Sequence, residues 1–316
     1  MRSKEPKINL VTGGAGFLGS NLINILMKNN EIVICLDNLF TGDKNNINEW
    51  LDHPNFDFIE HDVVEPIKLD VDYIWHLACP ASPIHYQSNP IKTAKTSFLG
   101  TYNMLGLAKK NKAKLLLAST SEIYGNPEFN PQSENYNGSV NTTGIRSCYD
   151  EGKRIAETLC SDYKRIHDID VRIMRIFNTY GPKMQIDDGR VISNFIVQSL
   201  KGVPLTIYGS GEQIRSFCYV DDLIKGMIKL MDSNFSSPIN IGNPKQFTIL
   251  EIAKKIKKTI NPDLEFIYKP LPEDDPIQRQ PDIQKAIDLL DWHPETSFDE
   301  GLFLTINWFK DILKSK

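Results

Sequence analysis

Tyr149 and Lys153 are four positions apart in the segment YDEGK, which is predicted to lie in a helix. Positions i and i+4 share one face of a helix, so the phenol and the ammonium are expected to lie side by side. A free tyrosine, with a pKa of about 10, is a poor base at neutral pH, but a neighbouring positive charge favours its phenolate form. The spacing therefore predicts a tyrosine whose pKa is lowered and which removes a proton from a bound molecule.

A hydroxyl group and a carboxyl group lie at the end of a predicted strand, residues 113–120. Thr120 ends this strand, and Ser121 and Glu122 follow it directly. Binding sites in open parallel sheets form at the carboxyl ends of the strands. We therefore expect Thr120 to hydrogen-bond an alcohol that is being oxidised, with Ser121 and Glu122 in the same cavity. The alternative for Glu122 is a residue of a surface turn.

A glycine-rich turn joins the first predicted strand, residues 8–12, to the first predicted helix. Its sequence is GGAGFLG, in which Gly13, Gly16 and Gly19 recur at every third position. Glycines permit a tight turn, a close approach of the backbone to a pyrophosphate, and close packing of the helix on the strand. The start of the helix also presents free N–H groups and the positive end of its dipole to the phosphates. This turn predicts a dinucleotide cofactor.

The second predicted strand ends at Asp37, whose carboxylate can accept hydrogen bonds from both ribose hydroxyls and would repel the 2′-phosphate of NADP. We therefore predict NAD as the cofactor. Asp62, at the end of the third predicted strand, could receive the adenine amine, with a turn cap as the alternative. Lys153 could hydrogen-bond the nicotinamide ribose, and the positive ring would further favour the phenolate of Tyr149. The predicted contacts of NAD are Gly13, Gly16, Phe17, Leu18, Gly19, Asp37, Asn38, Asp62, Val63, Leu77, Ala78, Tyr149 and Lys153.

Short apolar runs alternate with amphipathic segments, which is typical of βαβ units and a parallel sheet. We predict an α/β fold with two parts. The first is a doubly wound parallel-sheet Rossmann domain, residues 1–178, to which residues 216–241 return. The second is a smaller mixed α/β substrate-binding lobe, residues 179–215 and 242–316. Predicted strands are 8–12, 31–37, 56–62, 73–78, 113–120, 170–178, 204–211, 216–220, 238–241 and 264–270, and the main predicted helices are 19–29, 92–111, 149–167, 222–231, 249–260 and 298–313.

The composition excludes several classes of function. Hydrophobic residues make up 41% of the chain, and the net charge of −4 comes from interspersed charges of both signs. No basic patch for nucleic acid or membrane is therefore expected, and no apolar stretch is long enough to span a bilayer. The five cysteines have no CxxC spacing and the six histidines no HxxxH spacing, so we expect no metal site, and we expect a cytoplasmic protein. The acidic run at 273–275 is expected to be a solvated loop.

Taken together, these motifs resemble the extended short-chain dehydrogenases, and within them the UDP-glucuronate decarboxylases, also known as UDP-xylose synthases. The resemblance covers most of the chain. The matching segments are HLACPASP at 76–83, STSEIYG at 119–125, RSCYDEGKRIAETL at 146–159, RIFNTYGP at 175–182, DDGRVISNFI at 187–196, YGSGEQIRSFCYV at 208–220 and PEDDPIQRQPDI at 272–283.

The resemblance implies a role for individual residues. It implies that Thr120, Glu122, Tyr149 and Lys153 are catalytic. It places Tyr86 and Arg279 against the glucuronate, Asn178, Arg190 and Arg215 near the UDP, and residues 205–208 beside the uracil and ribose. A guanidinium group suits a diphosphate because it binds two phosphate oxygens at once. The resemblance also implies a homodimer that pairs through the helices at 92–111 and 149–167. The predicted substrate contacts are Tyr86, Ser121, Asn178, Arg190, Leu205, Tyr208, Arg215 and Arg279.

The implied reaction converts UDP-glucuronate to UDP-xylose. Oxidation at C4 makes the sugar a β-keto acid, so that CO₂ can leave an enolate instead of an unstabilised carbanion. Protonation at C5 and return of the hydride then complete the turnover, and NAD is recycled.

Four alternatives remain open from the sequence. A 4,6-dehydratase is disfavoured because those enzymes typically have an aspartic acid where this chain has Ser121, a poor general acid. A 4-epimerase and a decarboxylase that releases the 4-keto sugar with NADH would use the same residues. A non-catalytic NAD-binding protein is disfavoured by the presence of both Tyr149 and Lys153.

Overall fold

Strands and helices alternate along most of the chain in the computed structural model, which describes residues 6–271 and 278–314. The strands are β1 (Ile8–Thr12), β2 (Ile32–Asp37), β3 (Phe56–Glu60), β4 (Tyr73–His76), β5 (Lys114–Thr120), β6 (Val171–Ile176), β7 (Thr179–Tyr180), β8 (Leu205–Tyr208), β9 (Ile214–Ser216), β10 (Cys218–Tyr219), β11 (Ile239–Ile241), β12 (Gln246–Thr248), β13 (Phe266–Lys269) and β14 (Gln278–Arg279). The helices are α1 (Phe17–Lys28), α2 (Pro83–Ser88), α3 (Pro90–Lys95), α4 (Thr101–Asn111), α5 (Ser147–His167), α6 (Val191–Leu200), α7 (Val220–Asp232), α8 (Ile249–Ile260), α9 (Gln284–Leu290) and α10 (Phe298–Lys314). Short 3₁₀ segments lie at Lys44–Trp50 and Ser121–Tyr124, and a π-helical turn lies at Thr96–Gly100.

Seven parallel strands form the central sheet, in the order β11-β6-β5-β4-β1-β2-β3. Helices α1 and α7 contact each other over one face, and α4 and α5 contact each other over the other face. The strands are therefore buried on both sides, and Leu10, Val11, Leu115 and Leu116 are fully inaccessible. The predicted α/β fold with a doubly wound parallel sheet is confirmed.

Strands β1 and β4 are neighbours, although the chain passes through β2 and β3 between them. The connections from these two strands therefore run to opposite sides, and the loops that follow them separate. In doubly wound sheets this reversal of strand order opens a crevice at the carboxyl ends of the strands. The fold thus places the turn after β1 and the loop after β4 on the two sides of one crevice.

Three smaller sheets lie beyond Asn178. Strands β8 and β13 pair in parallel, β10 pairs with β7, and β9 lies between β12 and β14. Helix α8 begins with a capping box in which Thr248 and Glu251 each accept a hydrogen bond from the other's backbone N–H. Strand β11 returns to the central sheet beside β6.

Two predicted elements are interrupted in the structure. The single helix predicted at 92–111 is divided by the π-helical turn, and it begins earlier because Pro90 suits the first position of a helix. The strand predicted at 216–220 is divided because Ser216 pairs with β12 and Cys218 pairs with β7. Changes of partner of this kind leave no mark in the local pattern of the sequence.

Helices α2 and α9 and strand β14 were not expected from the sequence. The first two are six and seven residues long, too short for an amphipathic period to be recognised. Strand β14 lies outside every predicted strand, and it forms by pairing with β9. The acidic run at 273–275 lies outside the described residues. Within the described ranges, no helix is long and apolar enough to cross a membrane.

Candidate active site

A cavity of about 650 Å³ opens at the carboxyl ends of β1, β4 and β5. Such a volume is within the range of sites that enclose small organic ligands. Residues of the smaller sheets, among them Thr206 and Arg279, complete its wall. All predicted site residues except Asp62 and Leu205 border it: Gly13, Gly16, Phe17, Leu18, Gly19, Asp37, Asn38, Val63, Leu77, Ala78, Tyr86, Thr120, Ser121, Glu122, Tyr149, Lys153, Asn178, Arg190, Tyr208, Arg215 and Arg279.

The glycine turn forms one end of the cavity. Gly13 has a φ of +69°, and a Cβ there would lie 2.9 Å from the backbone of Ala78. A Cβ on Gly19 would lie 2.2 Å from the carbonyl oxygen of Gly13. Gly16 precedes α1 without any side-chain cap, so the first N–H groups of the helix are not occupied by a side chain of their own. This cradle fits a pyrophosphate group, which needs bare backbone at close range.

Asp37 is held at the edge of this cradle by two backbone amides. Its Oδ2 accepts from the N–H of Ala15 at 3.0 Å, and its Oδ1 accepts from the N–H of Leu39 at 2.8 Å. Burial raises the pKa of Asp37, and these backbone hydrogen bonds oppose the rise. Gly42 leaves room beside the carboxylate, because a Cβ there would lie 2.8 Å from Oδ1. The carboxylate is therefore fixed in position while one side of it stays accessible to a ligand.

Asp62 does not border the cavity, so its predicted contact with adenine is not supported. Its carboxylate forms an ion pair with Lys92 at 2.7 Å and accepts a hydrogen bond from Asn38 at 2.8 Å. It also accepts from the N–H of Val64 at 3.1 Å, as in the turn-cap alternative. Burial raises the pKa of Asp62, but these contacts outweigh it and the pKa is lowered overall. Asp62 thus orients Asn38, which does border the cavity.

Tyr149 and Lys153 project together from the first turns of α5. Both are almost completely buried, and the Lys153 Nζ lies 6.0 Å from the centre of the Tyr149 ring while it donates to the carbonyl of Ala118 at 2.8 Å. The predicted neighbourhood of phenol and ammonium is thus present. The predicted lowering of the pKa is wrong for the chain alone, because burial, followed by the nearby Cys79, raises the pKa of Tyr149 and the hydrogen bond with Thr120 offsets only part of this. An additional positive charge in the cavity would favour the phenolate form of Tyr149.

Tyr86 lies flat against Tyr149, with ring centres 5.2 Å apart and an angle of 5° between the rings. It comes from α2 and is only 1% exposed. No partner for its hydroxyl occurs among the described residues. The stack fixes the plane of the Tyr149 ring and leaves a buried hydroxyl in the cavity wall that can bind a polar ligand group.

Glu122 is mostly shielded, with 15% of its side chain exposed, and lies between two guanidinium groups, so the surface-turn alternative is wrong. Its Oε2 accepts from Arg146 Nη2 at 2.5 Å, and its Oε1 accepts from Arg279 Nη1. Burial by itself would raise the pKa of Glu122, but Arg279 and Arg146 outweigh it and lower the pKa to about 2. Arg279 therefore pairs with Glu122 in this structure, a contact that the sequence did not predict.

Arg146 and Asp150 are two charged residues of the site region that were not predicted from the amino-acid sequence. The guanidinium of Arg146 borders the cavity and lies 5.9 Å from the centre of the Tyr86 ring. Asp150 is 7% exposed, and its Oδ1 has no hydrogen-bond partner in the described part of the chain. Burial, followed by the charge of Glu122, raises the pKa of Asp150 to about 7. Helical spacing could have found Arg146, because it lies three positions before Tyr149 and so on the same face.

Arg190 and Arg215 line the other end of the cavity. Arg190, at the start of α6, forms two hydrogen bonds with Asp188, at 2.5 and 2.6 Å. Arg215 lies on β9, level with Arg279 on the neighbouring β14. The guanidinium of Arg190 is held by Asp188, and Nη1 of Arg215 donates to the carbonyl of Ile214 at 2.9 Å.

One side of strand β8 faces the hydrophobic core and the other faces the cavity, which changes one of the predicted contacts. Leu205 and Ile207 are fully buried in the hydrophobic core. Thr206 and Tyr208 point the other way and border the cavity. The prediction for Leu205 is corrected to Thr206, because successive side chains of a strand face opposite sides.

A metal centre has no support in residues 6–271 and 278–314, where no three His, Cys, Asp or Glu side chains are grouped to hold an ion. Ion pairs within the cavity wall instead join Glu122 to Arg146 and Arg279, and Asp188 to Arg190. The arrangement suits a cofactor-dependent reaction on an anionic ligand.

Comparison with known proteins agrees with this geometry. The model of the NAD dependent epimerase/dehydratase family matches residues 9–242. UDP-glucuronic acid decarboxylase 3 of Arabidopsis thaliana is 57% identical over 295 residues, which cover 93% of this chain and 86% of that protein. UDP-glucuronic acid decarboxylase 1 of Xenopus tropicalis is 53% identical over 314 residues, which cover 99% of this chain and 75% of that protein. The structure of UDP-glucuronic acid 4-epimerase from Bacillus cereus, in complex with UDP-glucuronic acid and NAD, has a TM-score of 0.87 at 29% identity and covers 96% of this chain and 99% of that one. The chain therefore belongs to the NAD dependent epimerase/dehydratase family, in the group that contains the UDP-glucuronic acid decarboxylases.

Proposed function

We propose that the protein is an enzyme that converts UDP-glucuronate to UDP-xylose and CO₂ with NAD as a recycled cofactor. The observation that carries the proposal is the pair of guanidinium groups, Arg146 and Arg279, beside Tyr149 and Thr120 in one cavity. A sugar that bears a carboxylate on the carbon adjacent to the one to be oxidised suits this arrangement. The identity of more than half of all positions with curated decarboxylases supports the same substrate.

The residues of the glycine turn fit NAD. The bare backbone at Gly13, Gly16 and Gly19 would hold the pyrophosphate, and Asp37 would accept from the hydroxyls of the adenine ribose. When bound, NAD takes a hydride from the sugar and returns it later in the same turnover. Lys153 would hold the nicotinamide ribose by a hydrogen bond.

We assign the proton transfer at the sugar C4 hydroxyl to Tyr149. Its stack on Tyr86 fixes the direction of the phenol oxygen. Thr120, which already shares a hydrogen bond with Tyr149, would orient the C4 oxygen. A cationic ring in the cavity would offset the effect of burial and make the phenolate accessible near neutral pH.

Loss of CO₂ needs stabilisation of the charge that develops on the C4 oxygen. Thr120 and Tyr149, which are both almost completely buried, would donate hydrogen bonds to that oxygen. Arg279 would orient the carboxylate, and for this it must share or exchange its contact with Glu122. Arg146 would keep Glu122 in an ion pair while Arg279 binds the substrate carboxylate.

We assign the nucleotide to the part of the chain at 179–215 and 242–316, and the cofactor to residues 1–178 with 216–241. Arg190 and Arg215 would bind the diphosphate, with Asn178 and Ser121 nearby. Thr206 and Tyr208, on the cavity side of β8, would border the uracil and ribose.

A homodimer and a cytoplasmic location complete the proposal. Large apolar side chains are exposed along the helical segment 90–111 and along α5, and a second copy would cover them. They include Ile91, Phe98, Tyr102, Ile155 and Ile166. All five cysteines are free thiols, as expected in a reducing compartment.

The test is incubation with UDP-glucuronate and NAD⁺, followed by mass spectrometry of the nucleotide sugar and measurement of CO₂ and NADH. We expect UDP-xylose and CO₂ in equal amounts, without accumulation of NADH. A UDP-4-keto-pentose with an equal amount of NADH would show that the enzyme releases the 4-keto intermediate and does not make UDP-xylose. UDP-galacturonate without CO₂ would identify a 4-epimerase and contradict the proposal.

A further inference from the structure

Four charged side chains meet beside Tyr149. Arg146 and Arg279 each donate to one oxygen of Glu122, so two positive groups share one carboxylate. Asp150 lies one helical turn after Arg146, and its electrostatic partners include Glu122 and both arginines. Among the described residues, the cluster is thus neutral only when both carboxyl groups are ionised.

Asp150 is the member of this cluster that has a carboxyl oxygen, Oδ1, without a hydrogen-bond partner among the described residues. It is 93% buried, and no donor for its Oδ1 occurs in the described part of the chain. Glu122, by contrast, is bound through both oxygens. Asp150 is not one of the residues that border the cavity, so it acts on a ligand through the arginines. The titratable and charged groups that face Asp150 are Glu122 from the turn after β5, Arg279 from β14, Tyr86 from α2, and Arg146, Cys148, Tyr149 and Glu151 from α5 and the residue before it.

A substrate carboxylate changes the charge balance of the cluster. If it approaches Arg279, three carboxyl groups face two guanidinium groups, and an unpaired buried negative charge is unfavourable. We propose that Asp150 is the proton-linked counter-charge of the site: it takes up a proton when the substrate carboxylate binds and ionises again when that carboxylate has left as CO₂. This inference rests on the proposed function. Burial already raises the pKa of Asp150 to about 7. The negative charge of the substrate carboxylate would raise this pKa further.

The proton balance of the reaction agrees with this role. The bond between C5 and the carboxylate carbon breaks, its electron pair stays with the sugar, and C5 then accepts one proton. Turnover therefore consumes one proton and converts an anionic group into neutral CO₂. A cluster that gains one proton on binding and loses it on decarboxylation remains neutral throughout.

Calorimetric titration of the full chain saturated with NADH tests the inference. The C4 hydroxyl is not oxidised under these conditions, so the UDP-glucuronate complex does not turn over. Titrations at pH 8 in phosphate and in Tris, whose ionisation enthalpies differ, give the number of protons taken up. A carboxyl with a pKa of about 7 is mostly ionised at pH 8, so we expect uptake of up to about 0.9 proton with UDP-glucuronate and none with UDP-xylose, which has no carboxylate.

Variants and pH identify the group. Asp150→Asn should abolish the uptake, whereas the matched control Glu151→Gln, at the neighbouring half-exposed position, should keep it. For the wild type alone, uptake should be small at pH 6, where Asp150 is already protonated, and should increase toward pH 8. Equal uptake with both sugars, uptake that persists in Asp150→Asn, or uptake independent of pH would each overturn the inference. A wild type that forms CO₂ with NAD⁺, but takes up no proton when UDP-glucuronate binds to its NADH complex, contradicts only this inference. A wild type that forms no CO₂ contradicts the proposed function.

Discussion

At the scale of single residues, burial and nearby cations compete for control of protonation around the cavity. Tyr149 is buried and Glu122 is mostly shielded, yet the pKa of Tyr149 is raised and that of Glu122 is lowered to about 2. The difference arises because two guanidinium groups contact Glu122, whereas the ammonium of Lys153, 6.0 Å from the centre of the Tyr149 ring, donates to the carbonyl of Ala118. The same cavity can therefore hold an ionised carboxylate and a protonated phenol at neutral pH.

Tyr149→Phe should retain binding of UDP and NAD but lose the proton transfer at C4. Only one hydroxyl is removed and the ring stack with Tyr86 is kept, so the fold should persist. We expect the rate of UDP-glucuronate turnover to fall by about 10²- to 10⁴-fold, measured by CO₂ release. Tyr268→Phe, at an exposed position of β13, is the matched control and should leave the rate unchanged. A near wild-type rate in Tyr149→Phe would assign the base to another group.

Asp150 should make the free energy of unfolding depend on pH in a direction opposite to that of a salt-bridged carboxylate. Its pKa is raised in the folded protein, so its stabilising effect is complete below the unfolded value of about 4 and is lost as pH rises through about 7. Asn does not titrate. Asp150→Asn should therefore gain stability relative to the wild type as pH rises from 4 to 7, by at most about 1.4 kcal/mol per pH unit.

Urea unfolding of the wild type and Asp150→Asn at pH 5, 6, 7 and 8 measures this difference. Glu151→Gln shows the effect of removing a carboxylate at the next, half-exposed position. A stability difference between wild type and Asp150→Asn that stays constant over this range would show that Asp150 does not titrate there.

At the scale of elements, the first turn of α1 is pressed against the strand that precedes it. Gly19 allows this approach, because a Cβ there would lie 2.2 Å from the carbonyl oxygen of Gly13. Gly19→Ala must therefore displace the backbone of the turn, at a cost of about 1–3 kcal/mol. The displaced backbone belongs to the turn that would bind the pyrophosphate, so the affinity for NAD should fall by about ten- to hundredfold.

Titration calorimetry with NAD checks this prediction, with thermal unfolding monitored in parallel. Gly106→Ala is the matched control, because it is also a helical glycine but a Cβ there meets no atom within 4 Å. Its NAD affinity should equal that of the wild type. Unchanged affinity in a folded Gly19→Ala variant would show that the turn can move without affecting the cofactor.

Strand β14, which carries Arg279, is held by hydrogen bonds between Gln280 and Gln132. The N–H of Gln280 donates to Oε1 of Gln132 at 2.8 Å, and the carbonyl of Gln280 accepts from the N–H of Gln132 at 2.9 Å. Gln132 is 1% exposed and lies in the loop that follows β5. Strand β14 is thus held by β9 on one side and by this loop on the other, so Arg279 reaches Glu122 from a fixed backbone.

At the scale of the whole molecule, the exposed apolar side chains of the helices at 90–111 and 147–167 predict a homodimer. A homodimer through these helices should have a mass of about 72 kDa, twice the 36.0 kDa of the chain. Tyr102→Glu, at a half-exposed position of α4, should shift the molecule toward monomer because it places a charge in the apolar contact. Phe303→Glu, on the exposed side of α10, should not. Sedimentation velocity measures both, and a wild type that sediments at 36.0 kDa would contradict the dimer.

The features that were predictable from the amino-acid sequence depend on local geometry. Tyr149 and Lys153 meet because one helical turn separates them, and the glycine turn forms because a strand passes directly into a helix. The strands of the central sheet were also found, with ends that differ by one or two residues, because runs of buried apolar residues mark them. Their parallel arrangement followed from the alternation of strands with helices.

Tertiary structure alone decided the charge state of the site. Glu122 contacts residues that are 24 and 157 positions away, and no local spacing indicates either contact. The inward side of β8, which places Thr206 and not Leu205 at the cavity, depends on how the strand packs on the core. The raised pKa values of Tyr149 and Asp150 likewise depend on how much water the folded chain excludes. Periodicity is a property of neighbouring residues, whereas burial and ion pairing are properties of segments that meet only after folding.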